Sequence, residues 1–189
     1  REVPRRDRVP LPEAIRKRQL TLDEYFAAPM LADPMCRYDF CIESDAALAF
    51  VVTSAERARD LKQKPVYIEG AAHGGGKDWG RSFFWLNMPD ESFASAGAEV
   101  VARQVYERAG VRPKDIDVAC IYDHFAPMVI LQLEDYGFCK RGEGGAFVES
   151  GAIRRDGAIP VNPDGGHLSN CYVIGMVQIR EACEQLRGT

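Results

Sequence analysis

The sequence predicts an α/β fold with a mixed, largely buried sheet flanked by helices, and three patterns carry that prediction. Ala46–Thr53 is a continuous apolar run of strand length, as expected of a strand covered on both faces. Ile116, Val118, Cys120 and Tyr122 recur at the period of two that defines one face of a strand. Between them Ala98, Val101, Val105 and Ala109 recur at helical spacing. Strand and helix patterns alternate along the chain, which is the arrangement of an α/β protein.

The elements follow in order. Through Asp33 the chain is polar and Pro-punctuated, with short helical pieces expected at Glu13–Gln19 and Leu22–Ala27. After the Ala46–Thr53 strand, Ser54 can cap a short helix that Lys64-Pro65 closes. Val66–Glu69 reads as a strand and Gly70–Gly80 as a glycine-rich loop. Ser92 can cap the helix carrying Ala98–Ala109, and Gly110 and Pro113 end it. The Ile116–Tyr122 strand leads to a helix from Pro127 toward Tyr136, with Ala126, Ile130 and Leu133 inward and Gly137 as its stop. A loop with Gly142, Gly144 and Gly145 precedes a short strand at Ala158–Val161, and Asn162–Gly166 is a turn cluster. A last helix is expected from Val173 to Leu186, with Met176, Ile179, Cys183 and Leu186 facing inward.

Composition narrows the function classes. The 189 residues are 46% hydrophobic and 28% charged, a soluble globular profile, and no uncharged apolar run approaches the ~18 residues of a membrane span. A net charge of −4 argues against general nucleic-acid binding. Charge is uneven: residues 1–18 carry seven basic and three acidic side chains, which reads as a solvated lead-in helix with Arg16, Lys17 and Arg18 outside. The six cysteines are expected as reduced thiols, and with no signal-peptide core at the start a cytoplasmic location is the expectation.

Candidate sites separate by spacing. Gly74-Gly75-Gly76-Lys77 fails as a phosphate loop, because Ala71 and Asp78 stand where Gly and Ser or Thr are required. Cys36, Cys41, His167 and Cys171 have spacings a zinc site could use, but small thiols leading into apolar strands are common core residues, and no metal is expected. Ser150 lacks a nucleophile elbow, since Val148 takes the place of its first Gly. Two segments remain. Cys120–Phe125 sets Tyr122, Asp123 and His124 where a strand gives way to a helix, and Asn162–Tyr172 sets His167 and Tyr172 after the last strand. Ligands of open α/β sheets bind outside the carboxyl ends of strands, so both loops can face one crevice.

At these loops the chain resembles the second half of a thiolase, specifically the lipid-transfer-protein branch related to sterol carrier protein thiolase. Asp115–Phe125 resembles the strand carrying the family's Asn-Glu-Ala-Phe motif, and Val161–Gly175 resembles its Asn-Pro-x-Gly-Gly…Gly-His-Pro-x-Gly motif. Ala32–Met35, Asp45–Ser54 and Glu56–Ala58 resemble the end of the N-terminal half. The resemblance implies a thiolase-like fold, with residues 1–64 closing the N-terminal half and 65–189 forming the C-terminal domain. Tyr122 stands at the motif's Asn and Tyr172 at its catalytic His. Tyr-bearing members similar to this chain are steroid side-chain aldolases, which split a β-hydroxyacyl-CoA into a ketone and a shorter acyl-CoA such as propionyl-CoA.

That chemistry suits the substitutions. A β-ketoacyl thioester needs a nucleophile to attack its ketone. A β-hydroxyacyl thioester needs only a base for the hydroxyl proton, a stabilised enolate and a proton for it. The resemblance therefore implies a retro-aldolase for a bulky, steroidal β-hydroxyacyl-CoA, with Tyr122 and Tyr172 as the acid–base pair. Asp123, His124 and His167 would orient them or stabilise the oxyanion. No cofactor is implied beyond the coenzyme A of the substrate. A homodimer, and a small OB-fold, zinc-ribbon partner protein, are implied as companions. Two other functions fit the fold: a non-catalytic acyl-CoA or lipid-binding protein, and a conventional acyl-CoA thiolase.

Overall fold

The computed structural model describes residues 14–16, 18, 20–74 and 97–188. Helix α1 (Leu22–Phe26) opens with a capping box, in which Thr21 Oγ1 accepts from the Glu24 amide and the Glu24 carboxylate accepts from the Thr21 amide. A hairpin of β1 (Met30–Ala32) and β2 (Met35–Cys36) follows. Helix α2 (Ala55–Arg59) is capped by Ser54, whose Oγ accepts from the Arg57 amide. Then come α3 (Glu99–Ala109), α4 (Ala126–Asp135), α5 (Gly144–Glu149), α6 (Gly166–Ser169) and α7 (Met176–Arg187).

The core forms where the segment before α4 meets the segment after α5. Ala119, Ile121, Val129, Leu133, Ile153, Ile159 and Val161 are all buried together. Ala119 and Val161 make a parallel bridge, with Ala119 N–H donating to Pro160 O at 2.9 Å and Asn162 N–H to Ala119 O at 3.0 Å. The backbone of Asn162 then turns out of strand geometry, at φ +45°. Its side-chain amide replaces the next ladder rung: Ile121 N–H donates to Asn162 Oδ1 at 2.7 Å and Asn162 Nδ2 donates to Ile121 O at 2.9 Å. One side chain thus joins the ends of the two strand-like segments just before the residues of interest.

Several expectations are corrected. Ala46–Thr53 has no strand partner among the described residues and is exposed, Val51 at 91% and Val52 at 80%. Val66–Glu69 is likewise unpaired, with Ile68 75% exposed. Apolar composition records that such a segment is meant to be covered, not that the covering lies within these residues. The expected mixed sheet is therefore reduced, among the described residues, to one hairpin and two isolated bridges. Around Cys120 the inward face is Ala119, Ile121 and Asp123, the opposite of the parity expected from Ile116 and Val118.

Other corrections concern helices. Residues 14–16 are not helical: Ile15 and Arg16 N–H donate to Asn170 O and Ser169 O. Arg16 turns inward over the Tyr38 ring and donates to Leu168 O at 3.2 Å. Helix α2 ends at Arg59, ahead of Lys64-Pro65. The α3 amide end is served from afar, with Ala98 N–H donating to Asp135 Oδ2 at 3.0 Å; Ser92 lies outside the described residues, as do residues 75–80 of the glycine-rich loop. Helices α5 and α6 occupy segments expected as loops, while the Asn162–Gly166 cluster does turn, Gly165 N–H donating to Asn162 O at 2.9 Å. On α7, Val177, Gln178 and Glu181 face inward while Ile179 and Leu186 are half exposed. The hydrophobic pattern missed this face because a buried polar network, not an apolar seam, receives it.

Candidate active site

The site is built on the reversed parity of the Cys120–Phe125 segment. Tyr122 and His124 share one face and Asp123 the other. The segment's end is held by Gln132 of α4, whose Nε2 donates to Tyr122 O at 2.7 Å. Phe40 bridges Phe125, and Cys41 N–H donates to His124 O at 2.8 Å, so residues 40–44 run alongside.

Tyr172 arrives from the loop between α6 and α7. Its N–H donates to Ser44 Oγ at 3.2 Å, and Ser44 Oγ–H donates to Ile42 O at 3.0 Å. The outcome is a direct contact between the Tyr122 and Tyr172 hydroxyls at 2.8 Å, in which either can donate. Both rings are half-buried. Burial, and then the Tyr172 hydroxyl, hold the Tyr122 phenol well above the usual tyrosine range. At neutral pH Tyr122 keeps its proton, and a proton leaving one hydroxyl has a hydrogen-bonded path to the other.

The two histidines have different surroundings. The His124 ring lies tilted at 46° against the Tyr122 ring, 4.9 Å centroid to centroid. Its Nδ1 is buried and has no hydrogen-bond partner among the described residues. Burial, and then the neighbouring His167, lower its proton affinity, so the ring is neutral at neutral pH. His167 is fully buried between the two tyrosine rings, 4.7 Å from Tyr122 and 4.9 Å from Tyr172.

Asp123 faces away from the tyrosine hydroxyls and knits the structure beneath them. Its carboxylate accepts from the amides of His167 (2.8 Å) and Leu168 (3.3 Å) in α6, and from Gln178 Nε2 (3.3 Å) in α7. Gly166 lets it approach: a Cβ there would sit 2.6 Å from Asp123 Oδ1, and φ is +59°. On this far side a cavity of about 570 Å³ is lined by Ala126, Ile130, Val148, Ile153 and Leu168.

The structure thus brings Tyr122, Tyr172, His124 and His167 together and sets Asp123 one layer below. Ser44, Gln132, Asn162 and Gln178 support this arrangement and were not singled out in the sequence. Only Asn162 had a local signal, its place in the turn cluster; the others act through contacts between elements that no local pattern marks. Among the described residues no group of three or more His, Cys, Asp or Glu side chains is placed to hold a metal ion.

Residues 86–189 match the family described as Thiolase C-terminal domain-like, and the chain belongs to that family. It is 41% identical over 170 residues to 17-hydroxy-3-oxo-4-pregnene-20-carboxyl-CoA lyase of Mycobacterium tuberculosis, covering 90% of this chain and 44% of that protein. It is 39% identical to the steroid side-chain-cleaving aldolase of Thermomonospora curvata, covering 92% of this chain and 44% of that one. A solved structure titled Ltp2-ChsH2(DUF35) aldolase superposes with a TM-score of 0.88 at 35% identity, over 99% of this chain and 49% of that chain. The fold is therefore thiolase-like. The chain spans less than half the length of these relatives.

Proposed function

We propose that this chain carries the acid–base half of a retro-aldolase acting on a bulky, steroidal β-hydroxyacyl-CoA. The observation that carries the reading is the Tyr122–Tyr172 hydroxyl pair at 2.8 Å, standing at the two positions where the resemblance to thiolases puts Asn and His. The names of the two relatives, a pregnene-carboxyl-CoA lyase and a side-chain-cleaving aldolase, support the same substrate class.

The proposed step balances without a nucleophile. The β-hydroxyl proton passes to one tyrosine oxygen as that tyrosine's own proton crosses the 2.8 Å contact to the other hydroxyl, and the substrate oxygen's electrons form the C=O of a steroid ketone. The Cα–Cβ bond breaks, and its electrons pass into the thioester as an enolate. A proton returned through the pair to Cα gives the short acyl-CoA, of the propionyl-CoA type. Phenols suit this exchange because alkoxides and enolates are more basic than they are. His124, a neutral ring 4.9 Å from the Tyr122 ring, would orient that tyrosine or meet the substrate oxygen beside the pair. No redox carrier or metal is required by these steps.

A cytoplasmic location fits a coenzyme A ester as substrate. Association with further protein, a second copy or a zinc-ribbon, OB-fold partner, is supported by the exposed apolar run at Phe50, Val51 and Val52 and by the double title of the solved relative.

The test is to incubate the purified protein with a 17-hydroxy steroid acyl-CoA and, separately, with a β-ketoacyl-CoA. Ketone and short acyl-CoA from the first, without free CoA, sustain the proposal. Products from the second alone, and only with CoA added, assign a conventional thiolase instead.

A further inference from the structure

We infer that His167 is a positioning residue that fixes the Tyr172 hydroxyl by anchoring the Tyr172–Gly175 turn to Asp123, and that it exchanges no proton with substrate. The inference rests on the proposed function only for its kinetic consequence; its structural content stands apart.

Both ring nitrogens are already used. Gly175 N–H donates to His167 Nε2 at 3.3 Å, so Nε2 is an acceptor and the ring proton sits on Nδ1. Nδ1 lies at an ion-pair distance of 3.3 Å from Asp123 Oδ1, the oxygen to which we assign that proton. Gln178 Nε2 is also near, at 3.2 Å, but its hydrogens are directed at Asp123 Oδ1 and Ile121 O, each at 3.3 Å. Turning that amide over would set its oxygen against both acceptors. No ring nitrogen is left for a substrate, and the ring is fully buried.

The accepted amide belongs to a constrained turn. Ile174 has φ +34° and is 74% exposed, and Gly175 has φ +80°. A non-glycine residue in the left-handed region is strained and persists only where its surroundings fix it. Met176 N–H donates to Val173 O at 2.9 Å within the turn, and two bonds tie it to the rest of the chain, Tyr172 N–H to Ser44 Oγ at its start and Gly175 N–H to His167 Nε2 at its end. Between them lies the tyrosine that must meet Tyr122.

Asparagine and glutamine at position 167 separate the two bonds. His167→Gln can present Oε1 where Nε2 stood and keep the Gly175 amide bonded. His167→Asn can reach only Asp123 and leaves that amide without its acceptor. In the whole protein, we expect Gly175 amide exchange to stay protected in the Gln variant and to quicken at least tenfold in the Asn variant. Nitrogen-15 spectra of the wild-type ring should show the Nδ1–H tautomer. With steroid acyl-CoA as substrate, Asn should lower kcat about 10²-fold, the cost of roughly 1 Å of misplacement. KM should stay within about twofold, and Gln should recover most of the loss.

An Nε2–H tautomer, or Gly175 exchange unchanged in the Asn variant, overturns the inference whether or not the protein is an aldolase. Equal losses of kcat in both variants, with intact thermal melting, overturn it kinetically. Turnover absent from the wild type, with the tautomer and exchange results as expected, instead defeats the proposed reaction and leaves the anchor standing.

Discussion

Tyr122 and Tyr172 are where the account is most exposed to experiment. Each Tyr→Phe change keeps the ring, so the contacts with His167 survive and only the hydroxyl is lost. Loss of one acid–base group costs roughly 10²–10⁴-fold in rate, and that range is expected in kcat for either variant. Because the hydroxyls are bonded to each other, the double variant should be scarcely slower than the slower single one. A multiplicative double variant would show two independent roles. Titration adds a second prediction. His124 is held below its ordinary value of 6.5, chiefly by burial. The unfolded chain therefore binds that proton first, and the associated stability is complete above about pH 6.5 and lost as pH falls below it. If neutral His124 serves the reaction, the acid limb of the kcat profile lies below 6.5. The raised Tyr122 phenol puts its alkaline limb above the ordinary tyrosine value of 10.0. A profile breaking between 7 and 9 would contradict both assignments.

At the scale of elements, the strand–turn junctions decide which side chains meet. Tyr122, His124, His167 and Tyr172 were readable in the sequence because they cluster in two short segments with turn residues beside them. The parity of the first segment was not readable. It is set by Asp123, a carboxylate buried because α6 supplies amides and α7 an amide side chain, and a hydrophobic pattern cannot anticipate a polar residue on the inward face. Helix α7 shows the same effect: Gln178 is drawn inward by Asp123, Ile121 and His167, and Ile179 is turned out. Asn162 is the clearest single test of this layer. Asn162→Ala would leave the buried Ile121 N–H without a partner and place alanine at φ +45°. An unsatisfied buried donor costs about 1–3 kcal/mol. A loss of that size in unfolding free energy is expected, read as a lower denaturant midpoint, with a fall in kcat as the two junctions lose register. An unchanged midpoint would mean that the side-chain rung does not hold them.

For the whole molecule, the thiolase-type trace is shown by a TM-score of 0.88 to a solved aldolase, while this chain covers 49% of that one. The same fact explains what the sequence overstated. Ala46–Thr53 and Val66–Glu69 have strand composition, but among the described residues no neighbour closes over them. Composition reports the finished assembly, whereas a ladder requires its partner strand. The central claim, that a tyrosine pair cleaves a β-hydroxyacyl thioester without a nucleophile, is tested most directly by a single turnover in D₂O. Enzyme in excess over a 17-hydroxy steroid acyl-CoA, with no free CoA, should yield equal amounts of steroid ketone and short acyl-CoA, the latter carrying one deuterium at Cα. Cleavage that waits for added CoA, or that leaves the steroid as a thioester rather than a ketone, would contradict it.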